Sequence, residues 1–183
     1  MEFPNCLRKA HHGSSFGGVE VSQMWNDLAL WEEFFNRANV KSVIELGTFR
    51  GGMTMFFTLQ GIARGFTITS IDDQNHGAPT EQLHKLGTKL LTMDLLSEST
   101  VEPMRELIAS LPKPLVLFCD NGDKPREWGL YVPLLSPGDF AAVHDWGTEF
   151  RESNLIPKPN PFMQTECESI ESMTRFFAIQ IVE

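Results

Sequence analysis

Four acidic positions in this 183-residue sequence each follow an apolar run: Asp72 after residues 66–71, Asp94 after 89–93, Asp120 after 114–119, and the pair His144-Asp145 after 140–143. Carboxylates and an imidazole so placed can accept hydrogen bonds from hydroxyls, hold a divalent cation or pass a proton. A fifth acid, Glu45, lies between Val43-Ile44 and the stretch Gly47-Thr48-Phe49-Arg50-Gly51-Gly52. Those glycines permit positive φ and let backbone amides come close to a ligand, with a helix N-terminus beginning at about Met53. The spacing E-x-G-x-x-x-G-G differs from the dinucleotide fingerprint, and an acid at the strand end repels a pyrophosphate. A ligand with a cationic or neutral centre is expected.

Such groups work together only if one frame gathers the ends of their strands. Alternating strand and helix patterns predict that frame: an α/β fold with a doubly wound, mostly parallel sheet and helices on both faces. Residues 21–39 carry Met24, Leu28, Trp31, Phe34 and Phe35 at helical spacing. Strands are then expected at 43–46, 66–71, 89–93, 114–119, 140–143 and 176–182, with helices to about residue 64 and over 81–86, 96–111, 125–135 and 166–173. The run 114–119 is apolar throughout, which places it mid-sheet. In open sheets of this kind ligands bind outside the carboxyl ends of the strands, where all five acids fall.

On the wording Glu45-Leu-Gly-Thr-Phe-Arg-Gly-Gly-Met-Thr54, the chain resembles class I S-adenosylmethionine-dependent methyltransferases, in particular the small-molecule O-methyltransferases grouped with macrocin O-methyltransferase and the cephalosporin hydroxylase-like proteins. The resemblance implies that Glu45, Gly47, Thr48 and Gly51 hold the methionine part of S-adenosyl-L-methionine and that Asp72 holds the ribose. It implies further that Asp94 reaches the adenine amino group with Leu95 packing on the ring; Asp94 reads equally as a helix cap. It also implies a divalent metal, Mg²⁺ or Mn²⁺, held by Asp120, His144 and Asp145. An acid is commoner at the place of His144, and Asp123 competes with Asp120 as the matching acid. Lys124 and His144 are alternative bases; a metal-bound His144 would leave the task to Lys124. The class normally ends in an antiparallel hairpin, and only one strand, 176–182, is evident here. The sheet is therefore expected to be shortened at its C-terminal hairpin, the last strand either packing beside the fifth or leaving an edge for a second copy of the chain to fill.

Composition narrows the classes further. Forty-two per cent hydrophobic residues can bury one core, so a single domain over 1–183 is expected, with 1–20 as a flexible arm or lid carrying His11 and His12. A net charge of −9 disfavours nucleic acid as a partner. Three scattered cysteines, Cys6, Cys119 and Cys167, suit a reducing compartment. No run approaches the ~18 apolar residues of a membrane span, and no signal peptide is evident, so a cytoplasmic location without a membrane partner is expected. The leading function is O-methylation of a small hydroxylated metabolite, such as a sugar or natural product, with metal assistance. The alternatives are metal-independent methyl transfer and a non-catalytic, cofactor-binding interaction subunit.

Overall fold

A computed structural model describes residues 14–156 and 158–180. The described chain opens with a two-stranded antiparallel hairpin, β1 (Ser14–Phe16) and β2 (Val19–Val21), followed by helix α1 (Trp25–Arg37). Part of the expected flexible arm is therefore built structure. Phe16 and Val19 pack against Met55 and Phe56 of the following glycine-initiated helix, so the hairpin has an apolar face to bury. His11 and His12 lie outside the described residues, as do Cys6 and the last residues of the expected final strand.

Five parallel strands form the main sheet: β3 (Ser42–Leu46), β4 (Thr67–Asp72), β5 (Lys89–Thr92), β6 (Leu115–Cys119) and β7 (Phe140–Val143). Two antiparallel strands, β8 (Asn160–Phe162) and β9 (Arg175–Ala178), complete it in the order β5-β4-β3-β6-β7-β9-β8. The doubly wound α/β expectation therefore holds, and β6 is the central strand. The hairpin is shortened, but the sheet is not one strand short. Its additional member, β8, is three residues long and contains Pro161, which an edge strand tolerates because one side of its backbone needs no partner. With β9 paired to β7, the open flank that motivated self-association is filled.

Alternation along the strands sorts the core into two layers. Val43, Ile68, Val116, Phe118 and Phe176 face α1 and α2 (Gly52–Arg64). Ile44, Leu46, Leu115, Leu117, Cys119 and Phe177 face the opposite layer, built by α4 (Val101–Ser110) and α5 (Lys124–Tyr131); α3 (Thr80–Lys85) and α6 (Gln164–Ser169) complete the set. Trp31 is fully buried in the first layer, its ring meeting Phe34, Phe35, Phe57, Phe118 and Phe176 at centroid distances of 4.6–5.5 Å, mostly edge to face. Cys119 and Cys167 are buried and free, and among the described residues no helix is long and apolar enough to cross a membrane.

Candidate active site

The order of strands reverses at β3, which lies between β4 and β6, and a crevice opens at that switch point above the carboxyl ends. Here the chain turns from β3 into α2. The Gly47 amide donates to the Ile71 carbonyl at 2.8 Å and the Gly51 amide to Thr48 at 2.8 Å. Gly47 adopts φ 98°, and a Cβ there would stand 2.6 Å from the Asp120 carbonyl oxygen. Only glycine fits, and the reason is the approach of the β6 backbone rather than room for a ligand. At Gly52 a Cβ would collide with the Glu20 carbonyl, because β2 crosses the first turn of α2.

A cavity of about 510 Å³ occupies the crevice. One wall is the loop Gly47, Thr48, Phe49, Arg50 and Gly51; another is Glu20 of β2 with Ser22, Gln23 and Met24 of the segment joining β2 to α1; the floor carries Asp120, Lys124, His144 and Asp145. The second wall and Met173 were not foreseen from the sequence.

The sequence-expected metal ligands converge. Asp120, His144 and Asp145 offer ligand atoms that all lie within 4.8 Å of one another. His144 Nδ1 is 3.3 Å from Asp120 Oδ1 and 3.3 Å from Asp145 Oδ1. Adjacent strands β6 and β7 bring them together, with Asp145 held at φ 57°, a backbone state that aspartate tolerates better than most residues. Asp123, the competing acid, instead caps α5 by accepting from the Arg126 amide at 3.1 Å.

Lys124 reaches into the same cluster. Its Nζ is 2.7 Å from Asp145, 2.8 Å from Glu149, 3.7 Å from Asp120, and donates to the Asn121 carbonyl at 3.0 Å. Burial alone would lower its pKa, but the charge of Asp120 and the bonds to Asp145 and Glu149 outweigh burial and hold it above the ordinary lysine range. His144 behaves alike: desolvation opposes the cation, while Asp120, Asp145 and Asp27 raise its pKa well above the usual value. Asp145 is correspondingly held below the usual carboxylate range, His144 and Lys124 overcoming its desolvation. Both sequence-expected bases are therefore cations in this arrangement. Four carboxylates, Asp27, Asp120, Asp145 and Glu149, surround these two cations, and the negative excess together with oxygen and imidazole donors suits a divalent metal ion.

The cofactor-side residues divide. Thr48 lines the cavity, its hydroxyl 2.7 Å from that of Ser70. Glu45 does not line it. By the alternation of β3 its side chain shares the α2 face with Val43, where its carboxyl accepts bonds from the Thr54 and Ser70 hydroxyls, and desolvation pushes its pKa up to about 8. Glu45 thus ties the first turn of α2 to β4 behind the glycine loop. Asp72 ends β4 as expected, but its carboxylate accepts from the Phe49 and Asp73 amides, each at 2.8 Å, and lies 3.4 Å from His76 outside the cavity. Asp94 does not line the cavity, and it is not at a helix N-cap either: its side chain accepts from the Leu96 amide at 3.0 Å in a local turn, while Ser97 and Thr100 hold the N-cap positions of the helical turns that follow. Leu95 is 1% exposed in the core layer facing α4 and α5, so it is a core residue in this structure and not the surface of an adenine pocket.

The architecture is that of the class I methyltransferases. No family model matches the chain. In sequence it is similar to the rhamnosyl O-methyltransferases of Mycobacterium tuberculosis and Mycobacterium bovis, 24% identical over 131 residues, which is 68% of this chain and 52% of theirs. The chain thus spans about half the length of the curated relatives it matches. In structure it is similar to CmcI with SAH, with a TM-score of 0.67 at 13% identity over 92% of this chain and 84% of that one. CmcI with Mg and SAM gives 0.60 at 18% identity over 79% and 66%. The MycE methyltransferase of the mycinamycin pathway, in complex with Mg, SAH and mycinamycin VI, gives 0.51 at 14% identity over 67% and 34%.

Proposed function

We propose that this chain is an S-adenosylmethionine-dependent O-methyltransferase acting on a hydroxyl of a small metabolite, a sugar or natural product, with a divalent metal held by Asp120, His144 and Asp145. The observation that carries the reading is the convergence of these three side chains on the floor of the cavity that the glycine loop walls. The similarity to rhamnosyl O-methyltransferases and to the metal-bearing CmcI and MycE structures supports it. When bound, S-adenosylmethionine supplies a methyl group activated by its sulfonium, and the metal lowers the pKa of the acceptor hydroxyl it touches.

The chain's own residues do the rest. Gly47 to Gly51 present one wall, to which Thr48 adds a hydroxyl and Phe49 and Arg50 add side chains. Asp120 and Asp145 fix charge at the floor, and His144 Nδ1 must yield its proton to serve as a ligand. Lys124 is a fixed cation between Asp145 and Glu149, placed to accompany an acceptor oxygen as negative charge develops on it; it takes up the acceptor's proton only after losing its own. The ribose role of Asp72 requires its carboxylate to add or exchange partners, since both oxygens already accept amide bonds.

Titration calorimetry with S-adenosylhomocysteine and with Mg²⁺ tests the reading. S-adenosylhomocysteine binding is expected in wild-type protein and in Asp145→Asn, while Mg²⁺ binding is expected to be lost in the variant. No affinity for S-adenosylhomocysteine at millimolar concentration removes the methyltransferase reading. Mg²⁺ binding untouched by the substitution removes the metal site.

A further inference from the structure

We infer that Asp27 is a positioning residue for the metal site, directing His144 so that Nδ1 faces the ion while Nε2 keeps its proton; the inference rests on the metal-assisted reading above. Asp27 lies in the first turn of α1, far from the strand ends in sequence, and is fully buried. Its Oδ1 accepts from the Ser172 hydroxyl and from the amides of Met173 and Thr174 at 3.1 and 3.2 Å, and its Oδ2 accepts from the Met24 amide at 3.3 Å. Oδ2 also faces His144 Nε2 at 3.6 Å, and that buried nitrogen has no hydrogen-bond partner in the structure.

The geometry dictates where the protons go. A bare Nε2 lone pair directed at a buried carboxylate would be repelled, so Nε2 is the nitrogen that retains hydrogen. Nδ1, on the far side of the ring between Asp120 and Asp145, is the nitrogen a cation can claim. Carboxylates behind a ligating imidazole fix its ring and tautomer in this way and strengthen it as a donor.

The same segment supports the other ligands. Gln23, four residues before Asp27, donates its side-chain amide to Asp120 Oδ2 and leaves Oδ1 toward His144. The loop that Asp27 grips through Met173 also accepts the Trp146 amide at 2.9 Å, directly beside Asp145. A purely structural role, joining α1 to residues 172–174 through Oδ1 and capping α1 through the Met24 amide at Oδ2, leaves unexplained why a buried imidazole nitrogen with no other partner faces that same Oδ2.

Asp27→Asn keeps the bonds from Ser172, Met173 and Thr174 on the amide oxygen while the amide nitrogen presents hydrogen to Nε2; it also gives up the bond from the Met24 amide, a structural loss that the melting temperature reports separately. Nitrogen-15 NMR of the histidine side chains and Mg²⁺ calorimetry are the readouts, with melting temperature followed alongside. Wild-type His144 should show a protonated Nε2 with and without Mg²⁺, and an Nδ1 resonance that moves on Mg²⁺ addition. The variant should bind Mg²⁺ about 10- to 100-fold more weakly. An unprotonated Nε2 in wild type, an Nδ1 indifferent to Mg²⁺, or a folded variant with undiminished Mg²⁺ affinity overturns the inference. The wild-type spectra decide by themselves if the variant does not fold. Failure to bind S-adenosylhomocysteine would count against the methyltransferase reading and leave the nitrogen assignment standing.

Discussion

Replacing Glu45 by glutamine should change how stability depends on pH. Glu45 is 1% exposed, and desolvation raises its pKa from 4.5 to about 8 against the opposing bonds from Ser70 and Thr54. A carboxyl whose folded pKa exceeds its unfolded value is protonated when folded and ionised when unfolded anywhere between the two. The folded state then binds more protons, so stability falls as pH rises through that window and levels off above the folded pKa. A shift of roughly 3.5 units, at about 1.36 kcal/mol per unit, corresponds to roughly 5 kcal/mol across pH 4.5–8. Glu127, buried and also raised to about 8 by desolvation, contributes a slope of the same sign in both proteins, so the difference between them isolates Glu45. Urea denaturation from pH 5 to pH 9 is the assay. Glu45→Gln should gain on wild type as pH rises from 5 to about 8 and hold that gain above it. A stability difference between the two that stays constant over this range would refute the assignment of Glu45 as a buried, protonated brace.

Two further outcomes follow from the packing. Gly52→Ala puts a methyl group into the Glu20 carbonyl, so β2 should lift from α2 and the hairpin should become cleavable in limited proteolysis at residues 14–22; unchanged cleavage would show that the crossing is not tight. Trp31→Ala removes the ring on which five phenylalanines converge and should cost about 3–5 kcal/mol in chemical denaturation, whereas a loss under 1 kcal/mol would mean that the two-layer core is wrongly drawn.

The parts of this molecule legible in its sequence are those in which one physical signal dominates. The apolar run Leu115–Cys119 could only be a central strand, and the positions of Asp72, Asp120 and His144-Asp145 after such runs located them at one edge of the sheet. Strand β8 was hidden because Pro161 argues against a strand unless the strand is known to be at an edge. The hairpin β1–β2 was hidden for a related reason: the Gly17-Gly18 turn is a hairpin signal, but flanking strands of three residues carry too little alternation to be recognised. The surroundings of Glu45 could not be read from its spacing. It is two residues from Gly47, yet the period of β3 turns its side chain to the α2 face and away from the cavity. Asp27, Gln23 and Met173 join the site through the packing of α1 and the loop before β9 across the strand ends, and local sequence spacing carries no trace of that juxtaposition.

The central claim is that a cofactor wall and a metal floor share one cavity. The measurement closest to it is a crystal structure grown with S-adenosylhomocysteine and Mn²⁺, with anomalous data collected to locate the manganese. The account predicts one anomalous peak within about 2.0–2.3 Å of Asp120, His144 Nδ1 and Asp145, with the thioether sulfur of S-adenosylhomocysteine in the same cavity beside the Gly47–Gly51 loop. Manganese bound elsewhere, or S-adenosylhomocysteine bound away from that loop, would contradict it.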